Sequence, residues 1–417
     1  MQNLRRIFGH KILLLYFSAL SVLHNINFAE ARGPPWRILF LGSDHFSLET
    51  LETLNIEFKS SKKLISQLDV TSVDDETPVA SYARRQHLPF NGWPLLEDEC
   101  SGKYDVGILV SFGEMISKEF IDCFPFGIIN AHPSLLPRWR GASPIPHAIM
   151  HGDNETGVSI MSIKPDKFDH GDVILQTRTP IKPDETTPQL ETRLKVDAAK
   201  QLMGVIKDLK NSISAAKPQS EENATEAPKL YREMSWIVWE NMTSDDIFNR
   251  HRALAHIWPI GTIYKSYVVK LLTFRVKKSG ESSADGILAE AEVPTTIKIP
   301  HKLLLAGADG GEGEDVESTT RIGKKSAHSA FGKIERPSQQ NIGPDGKLKP
   351  GAVMFDKNMR ALRVMCMDGA QLLVYRVTVS RRKTMDALSF HNGFLSRTKP
   401  EERIFSEYSH FKDTVTR

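Results

Sequence analysis

The chain is poor in cysteine. Three stand in 417 residues, Cys100, Cys123 and Cys366, with no paired spacing. That excludes a disulfide framework and a cysteine-based zinc site, and it suits a reducing compartment. Long apolar runs are also missing. The one candidate, "ILLLYFSALSVL" from Ile12 to Leu23, is too short to span a bilayer comfortably as a helix. No glycine run has the spacing of a dinucleotide fingerprint. Neither a serine nor a cysteine sits in a recognisable nucleophile turn, so covalent catalysis is not indicated, and there is no internal repeat.

What is present is uneven in charge. Residues 1–32 carry four basic side chains against one acidic, residues 33–227 twenty against twenty-eight, and residues 228–417 thirty against twenty-two. Any polyanion is therefore expected on the last part, unless both are simply solvated surfaces. Residues 1–32 read as a targeting presequence. Arg5, Arg6 and Lys11 precede the apolar run, and Ala29-Glu30-Ala31 looks like a secretory cleavage site. A basic leader without early acids fits organellar import equally.

From Trp36 strand-like and helical patterns alternate. "WRILFLGSD", "DVGILVSFGE" and "FGIINAHPS" are apolar runs of buried strands. "TPVASYARRQH" reads as a helix capped by Thr77 with Pro78 in its first position. Residues Thr187 to Leu209 repeat apolar side chains at helical spacing. The fold expected over 33–209 is α/β, a Rossmann-like domain with a mostly parallel sheet. Residues 210–227, polar and proline-containing, read as a linker. Over 228–417, "WIVWEN", "IGTIYKS", "YVVKLLTFRV", "GAVMFD", "ALRVMCMDG" and "AQLLVYRVTV" suggest short strands of a smaller β-barrel, OB-like, domain. Residues 278–346, rich in Gly, Ser, Lys and acids, read as a disordered-looking insertion.

Three polar groups stand out: Asn130 and His132 at a strand end, and Asp172 in "FDHGDVI" 40 residues after the histidine. Ligands of open α/β sheets bind beyond such strand ends. An asparagine there offers an amide N–H to a developing oxyanion. A histidine offers a second donor or an acid/base group, and an aspartate fixes its tautomer and accepts a proton. The set suits transfer of an acyl-like group to an amine. Each group also has a bland reading, as a structural hydrogen-bonder or a turn residue.

The run "NAHPSLLPRWRGASPI", followed by "HGDNETGVSIM" and "FDHGDVILQ", resembles the folate-dependent formyltransferase superfamily. Within it the likeness is greatest to the members that act on methionyl-tRNA, those of mitochondria in particular. It is specific over residues 36–209 and looser beyond, through "WPIGTIY" and "VSRRKTMDALSFHNGFL". The resemblance implies a formyltransferase domain followed by a barrel that helps grip tRNA. It implies 10-formyltetrahydrofolate as formyl donor, no metal, and initiator methionyl-tRNA as partner for translation initiation. By it Asn130, His132 and Asp172 are catalytic. Ser134, Leu135, Leu136 and Pro137 line the folate site, their backbone meeting the pterin edge. Arg138, Trp139 and Arg140 lead towards the amine-bearing substrate, or else anchor the loop by cation–π and carbonyl contacts. The implied compartment is the mitochondrial matrix, against the secretory look of the leader. A monomer with no membrane contact in its mature form is expected.

The sequence departs from the family where bacterial members carry a long basic loop. The stretch here, "DVTSVDDETPVASYARRQ", is short and acidic until Arg84 and Arg85, which shifts the expected tRNA contacts to Arg381, Arg382 and Lys383. His170, next to the Gly-Asp pair, replaces a small residue. Competing readings are another folate-dependent transfer or hydrolysis on the same scaffold, and a silent tRNA- or folate-binding relic. A relic is expected to have lost at least one of the three polar groups.

Overall fold

The computed structural model describes residues 33–165, 167–277, 288–290 and 348–408. The expected leader lies outside the described residues, as does the expected insertion apart from 288–290. The chain divides into two compact units at Lys229/Leu230, with Ile149–Gly152 counted in the second.

The first unit holds seven strands: β1 (Trp36–Gly42), β2 (Ile65–Ser72), β3 (Phe90–Gly92), β4 (Val106–Val110), β5 (Ile128–His132), β6 (Glu155–Ser162) and β7 (Val173–Pro180). They lie in the order β3-β2-β1-β4-β5-β6-β7. The first five are parallel, while β6 and β7 run antiparallel. Every residue of β4 and β5 is buried, as expected of unalternating apolar strands covered on both faces. The strand order reverses between β1 and β4, where such sheets open a crevice at their carboxyl ends. β5, next in order, ends on Asn130-Ala131-His132 at the same edge.

Helices follow their sequence signals. Thr77 Oγ1 accepts from the Ala80 amide at 3.1 Å to open Pro78–Arg85. In the helix Thr187–Lys207, Leu190, Leu194, Ala198, Leu202 and Ile206 are fully buried along one stripe. The expected linker is otherwise. Residues Leu209–Ser214 form a helix, Lys217 bridges to Val173 of β7, and the chain runs on to a fully buried Ala227. The polarity of 210–227 serves hydrogen bonds to the first unit, and the segment belongs to it.

The second unit is an antiparallel sheet built from β8 (Gly261–Tyr264), β9 (Tyr267–Lys277), β10 (Leu288–Glu290), β11 (Val353–Asp356), β12 (Ala361–Met365), β13 (Gln371–Val379), β14 (Thr384–Asp386) and β15 (Phe405–Ser406). Its main path is β11-β12-β13-β9-β8-β15, with β10 on β9 and β14 on β13. The path's ends meet through the Val353 amide on Arg403 O and the Phe405 amide on Gly351 O, at 2.9 and 2.8 Å. The sheet thus curls shut as a small OB-like barrel. Gly351 is required at the seam: its φ is +83°, and a Cβ there would stand 2.5 Å from Phe405 O. "WIVWEN" is not a strand. A 3₁₀ turn at Arg232–Ser235 leads to one bridge at Trp236, and Trp239 plugs the core, its indole N–H on Thr262 Oγ1 at 2.8 Å.

On the helix Ser244–Leu254, His251 is 2% exposed against Phe274, ring centroids 4.8 Å apart. Burial pushes its imidazole down to about 4. The folded unit therefore keeps His251 neutral while the unfolded chain protonates it below roughly 6.5. Stability rises with pH between about 4 and 6.5. Acidification from pH 7 to pH 5 should cost about 2 kcal/mol through this residue, and His251→Asn should flatten that slope in urea denaturation followed at both pH values.

Candidate active site

β5 delivers Asn130 and His132 to the crevice, 6% and 4% exposed. Their neighbour there is Asp169. Its Oδ1 lies 3.4 Å from Asn130 Nδ2 and 3.5 Å from His132 Nδ1, and its Oδ2 accepts the Gly141 amide at 2.9 Å. Asp172 stands elsewhere. Its carboxylate accepts from Lys164 Nζ at 2.7 Å and is 34% exposed. Its amide and carbonyl bond Ser162 across β6–β7. The assignment of Asp172 is therefore corrected: it is anchored at the entrance to β7, and the acid that meets the histidine is three residues earlier.

The turn explains the difference. Asp169 adopts φ +57°, a left-handed conformation that costs a non-glycine residue of order 1 kcal/mol. At Gly171 a Cβ would fall 1.6 Å from Ser162 O, so only glycine lets the turn lie this close to β6. His170 sits between, its ring 3.9 Å from Glu221 Oε1, and does not meet His132. The sequence signal was present, two acids around one glycine in "FDHGD", but spacing alone does not say which is anchored and which is aimed.

His132 Nε2 lies 2.9 Å from Trp139 O. A carbonyl only accepts, so Nε2 carries the hydrogen, and Nδ1, facing Asp169, is the nitrogen at which protonation is optional. Trp139 is itself held in a left-handed conformation, φ +63°. Its amide bonds Thr225 Oγ1 at 2.9 Å and its indole N–H bonds Asp153 Oδ2 at 2.7 Å.

Arg138 forms a bidentate pair with Asp153, at 2.8 and 2.6 Å, and stacks over Trp139 at 4.3 Å. Arg140 is 2% exposed, bonded to Gln219 at 3.0 Å and to Glu221 at 2.9 and 3.2 Å. Both cations are paired within the first unit, Arg140 buried and Arg138 still partly exposed, as the loop-anchoring reading has it. Ser134 and Leu136 are buried as well. Ser134 O accepts from Ser159 Oγ at 2.6 Å, Ser134 Oγ donates to Arg138 O at 2.6 Å, the Leu136 amide donates to Ser159 Oγ at 3.1 Å, and Leu136 O accepts from Gln176 at 2.9 Å. Leu135 O accepts the Arg138 amide, and Pro137 has no N–H to offer. The backbone groups of Ser134 and Leu136 named for the folate site thus have partners within the loop and β6–β7.

An unpaired backbone edge lies instead at residues 112–115, just beyond the β4 residue that pairs with Asn130. Among the described residues it takes part in no backbone–backbone hydrogen bond. Gly113 has φ +84°, and Gly113, Glu114 and Met115 are exposed. Arg381, Arg382 and Lys383 are exposed on the β13–β14 hairpin, Arg382 lying 5.4 Å from the Phe394 ring centroid. No group of acids, histidines and cysteines suited to a metal occurs among the described residues.

Comparison with known proteins places the fold. The formyl transferase family profile matches residues 97–206, which span Asn130, His132 and Asp169. The architecture also matches the crystal structure of the N-formyltransferase from Helicobacter canadensis in complex with folinic acid and dTDP-3-aminofucose. That match has a TM-score of 0.50 and 14% identity over 81% of this chain and 98% of the other, a likeness of fold. The molecule thus has the formyltransferase fold. Relatives sharpen the class. The mitochondrial methionyl-tRNA formyltransferase of Bos taurus is 40% identical over 64% of this chain and 69% of its own length. That of Rattus norvegicus is 33% identical over 87% and 79%, and the methionyl-tRNA formyltransferase of Moorella thermoacetica 34% over 54% and 74%. The chain belongs to the methionyl-tRNA formyltransferase family.

Arg140→Ala should lower the stability of the first unit by about 2 kcal/mol or more, since it removes a buried guanidinium and its bonds. Arg381→Ala, at an exposed position, should stay within about 0.5 kcal/mol. Thermal melts of the two variants decide between these.

Proposed function

We propose that the chain transfers a formyl group from 10-formyltetrahydrofolate to the α-amino group of initiator methionyl-tRNA in mitochondria. The observation that carries this is the convergence of Asn130, His132 and Asp169 at the carboxyl end of β5. Family membership supports the acceptor, and the names of the mitochondrial relatives support the compartment.

The unpaired backbone of 112–115 fits a flat heterocycle with donors and acceptors along one edge, and we assign the pterin to it. Leu135, half-buried at the loop's turn, is kept in the wall of the donor site. The donor supplies an activated formyl carbon. Asn130 Nδ2 has one hydrogen towards Asp169 and one left for the formyl oxygen, on which negative charge grows as the amine nitrogen bonds to carbon. His132, its Nε2 hydrogen on Trp139 O, presents Nδ1 to Asp169, so a proton there is shared with that carboxylate and the pair stands beside the growing charge. Asp169, through water, takes the proton that the amine gives up. That proton returns to the folate nitrogen as its bond to the formyl carbon breaks, so no proton is gained or lost overall. The second unit, with thirty basic against twenty-two acidic residues over 228–417, meets the tRNA backbone. Arg381, Arg382 and Lys383 are assigned to that contact, which counterion release makes salt-dependent.

The test is formyl transfer to charged initiator tRNA by protein lacking residues 1–32. Asp169→Asn should reduce kcat by roughly a hundredfold or more, and Asp172→Asn, which breaks only a half-exposed pair with Lys164, should stay within about threefold. The reverse order would return the role to Asp172. Transfer to a sugar or purine amine, with none to tRNA, would discard the proposed acceptor. Neutralising Arg381, Arg382 and Lys383 together should weaken tRNA binding and flatten its salt dependence, as read by titration at two salt concentrations.

A further inference from the structure

We infer that Gln219 is a positioning residue for the transfer, acting through the Asp169 turn; this rests on the function proposed above. The carboxamide is used on both sides. Its Nε2 donates to Asp169 O and to Gly171 O, each at 2.8 Å. Its Oε1 accepts from Arg140 Nε at 3.0 Å. One side chain, 50 residues distant in sequence from Asp169, therefore ties the aspartate's own backbone to the loop that carries Trp139.

The segment around it makes the tie rigid. Lys217 exchanges both backbone bonds with Val173, at 2.7 and 2.9 Å. Glu221 pairs with Arg140. Thr225 receives the Trp139 amide on its hydroxyl and the Arg140 amide on its carbonyl, and Ala227 receives the Ser143 amide. Residues 217–227 thus form a strap laid across the site from β7 to the far side of the loop. From it Gln219 bonds the backbone of the Asp169 turn, while Glu221 comes only within 3.9 Å of the His170 ring. Asp169 sits in a left-handed conformation, which aspartate tolerates better than most residues but still at a cost relative to glycine, and the two carbonyls gripped by Gln219 are its own and that of Gly171. Without the grip the turn relaxes, and Asp169 drifts from Nδ1 of His132 and from Asn130.

Arg140 alone could instead account for Gln219, as a partner for a buried guanidinium. The two roles separate by chemistry. Gln219→Glu keeps an acceptor for Arg140, and makes it a charged one, but loses both donors and sets a carboxylate against two carbonyl oxygens. A positioning role makes that variant at least as damaging as Gln219→Met, which keeps the volume; an Arg140-anchoring role makes it harmless.

The experiment measures kcat and KM for donor and methionyl-tRNA in wild type, Gln219→Met, Gln219→Glu, Asp169→Asn and the Gln219→Met/Asp169→Asn double variant. The expected result is a ten- to hundredfold fall in kcat for both Gln219 variants, the loss that a small misplacement brings, with each KM within about twofold. The double variant should be no slower than Asp169→Asn alone, since Gln219 works through that carboxylate. Wild-type kcat in Gln219→Glu, a rise in KM with kcat unchanged, or losses that multiply in the double variant would each overturn the inference and leave the function standing. A wild type that transfers nothing would overturn both.

Discussion

The site depends on one hydrogen bond with a fixed direction, from His132 Nε2 to the carbonyl of Trp139. Because the acceptor has no hydrogen to give, the tautomer of the imidazole is decided by the backbone of a neighbouring loop, and only Nδ1 remains for proton chemistry. That nitrogen faces the Asp169 carboxylate at 3.5 Å. Everything else in the neighbourhood keeps the carbonyl and the carboxylate in place.

The density of charge in the loop follows from this requirement. Trp139 presents its carbonyl from a left-handed conformation, which a residue with a Cβ adopts only when its surroundings outweigh the cost. Asp153 supplies part of that, taking the indole N–H and both ends of the Arg138 guanidinium. Arg140 supplies another part from beneath, with Gln219 and Glu221. Two arginines in "RWRG" thus behave as internal fasteners. A buried guanidinium such as that of Arg140 is tolerated because its donors are met by acceptors.

Much of this was legible in the sequence. The apolar runs of β4 and β5 announce strands buried on both faces, and they place Asn130 and His132 at a strand end. The stripe in Thr187–Lys207 and the caps at Thr77 and Thr243 announce their helices. Asp169 was not legible, because "FDHGD" offers two acids and the choice rests on Gly171 lying against Ser162, a contact between strands that no local pattern encodes. The strap was not legible either. Its polar composition is that of a linker, and whether polar side chains meet water or a neighbour's carbonyls is decided by tertiary position.

The same reasoning separates the two units by how they handle polarity. In the second, the barrel closes around an apolar core, in which the Trp239 indole is bonded to Thr262. Its cations are left outside on the β13–β14 hairpin, in reach of a polyanion. In the first, the carboxyl edge of the sheet gathers buried polar groups that apolar packing cannot orient: Asn130, His132, Asp169 and Arg140. Each has to be fixed by a directed bond, so the segment that supplies those bonds becomes part of the site. A connection between units that had stayed solvated would have left Asp169 with only the Gly141 amide and the two groups it is meant to orient. The strap's cost in ordered backbone, roughly 1–2 kcal/mol per residue, is offset by the aim it gives to a carboxylate that would otherwise turn to water.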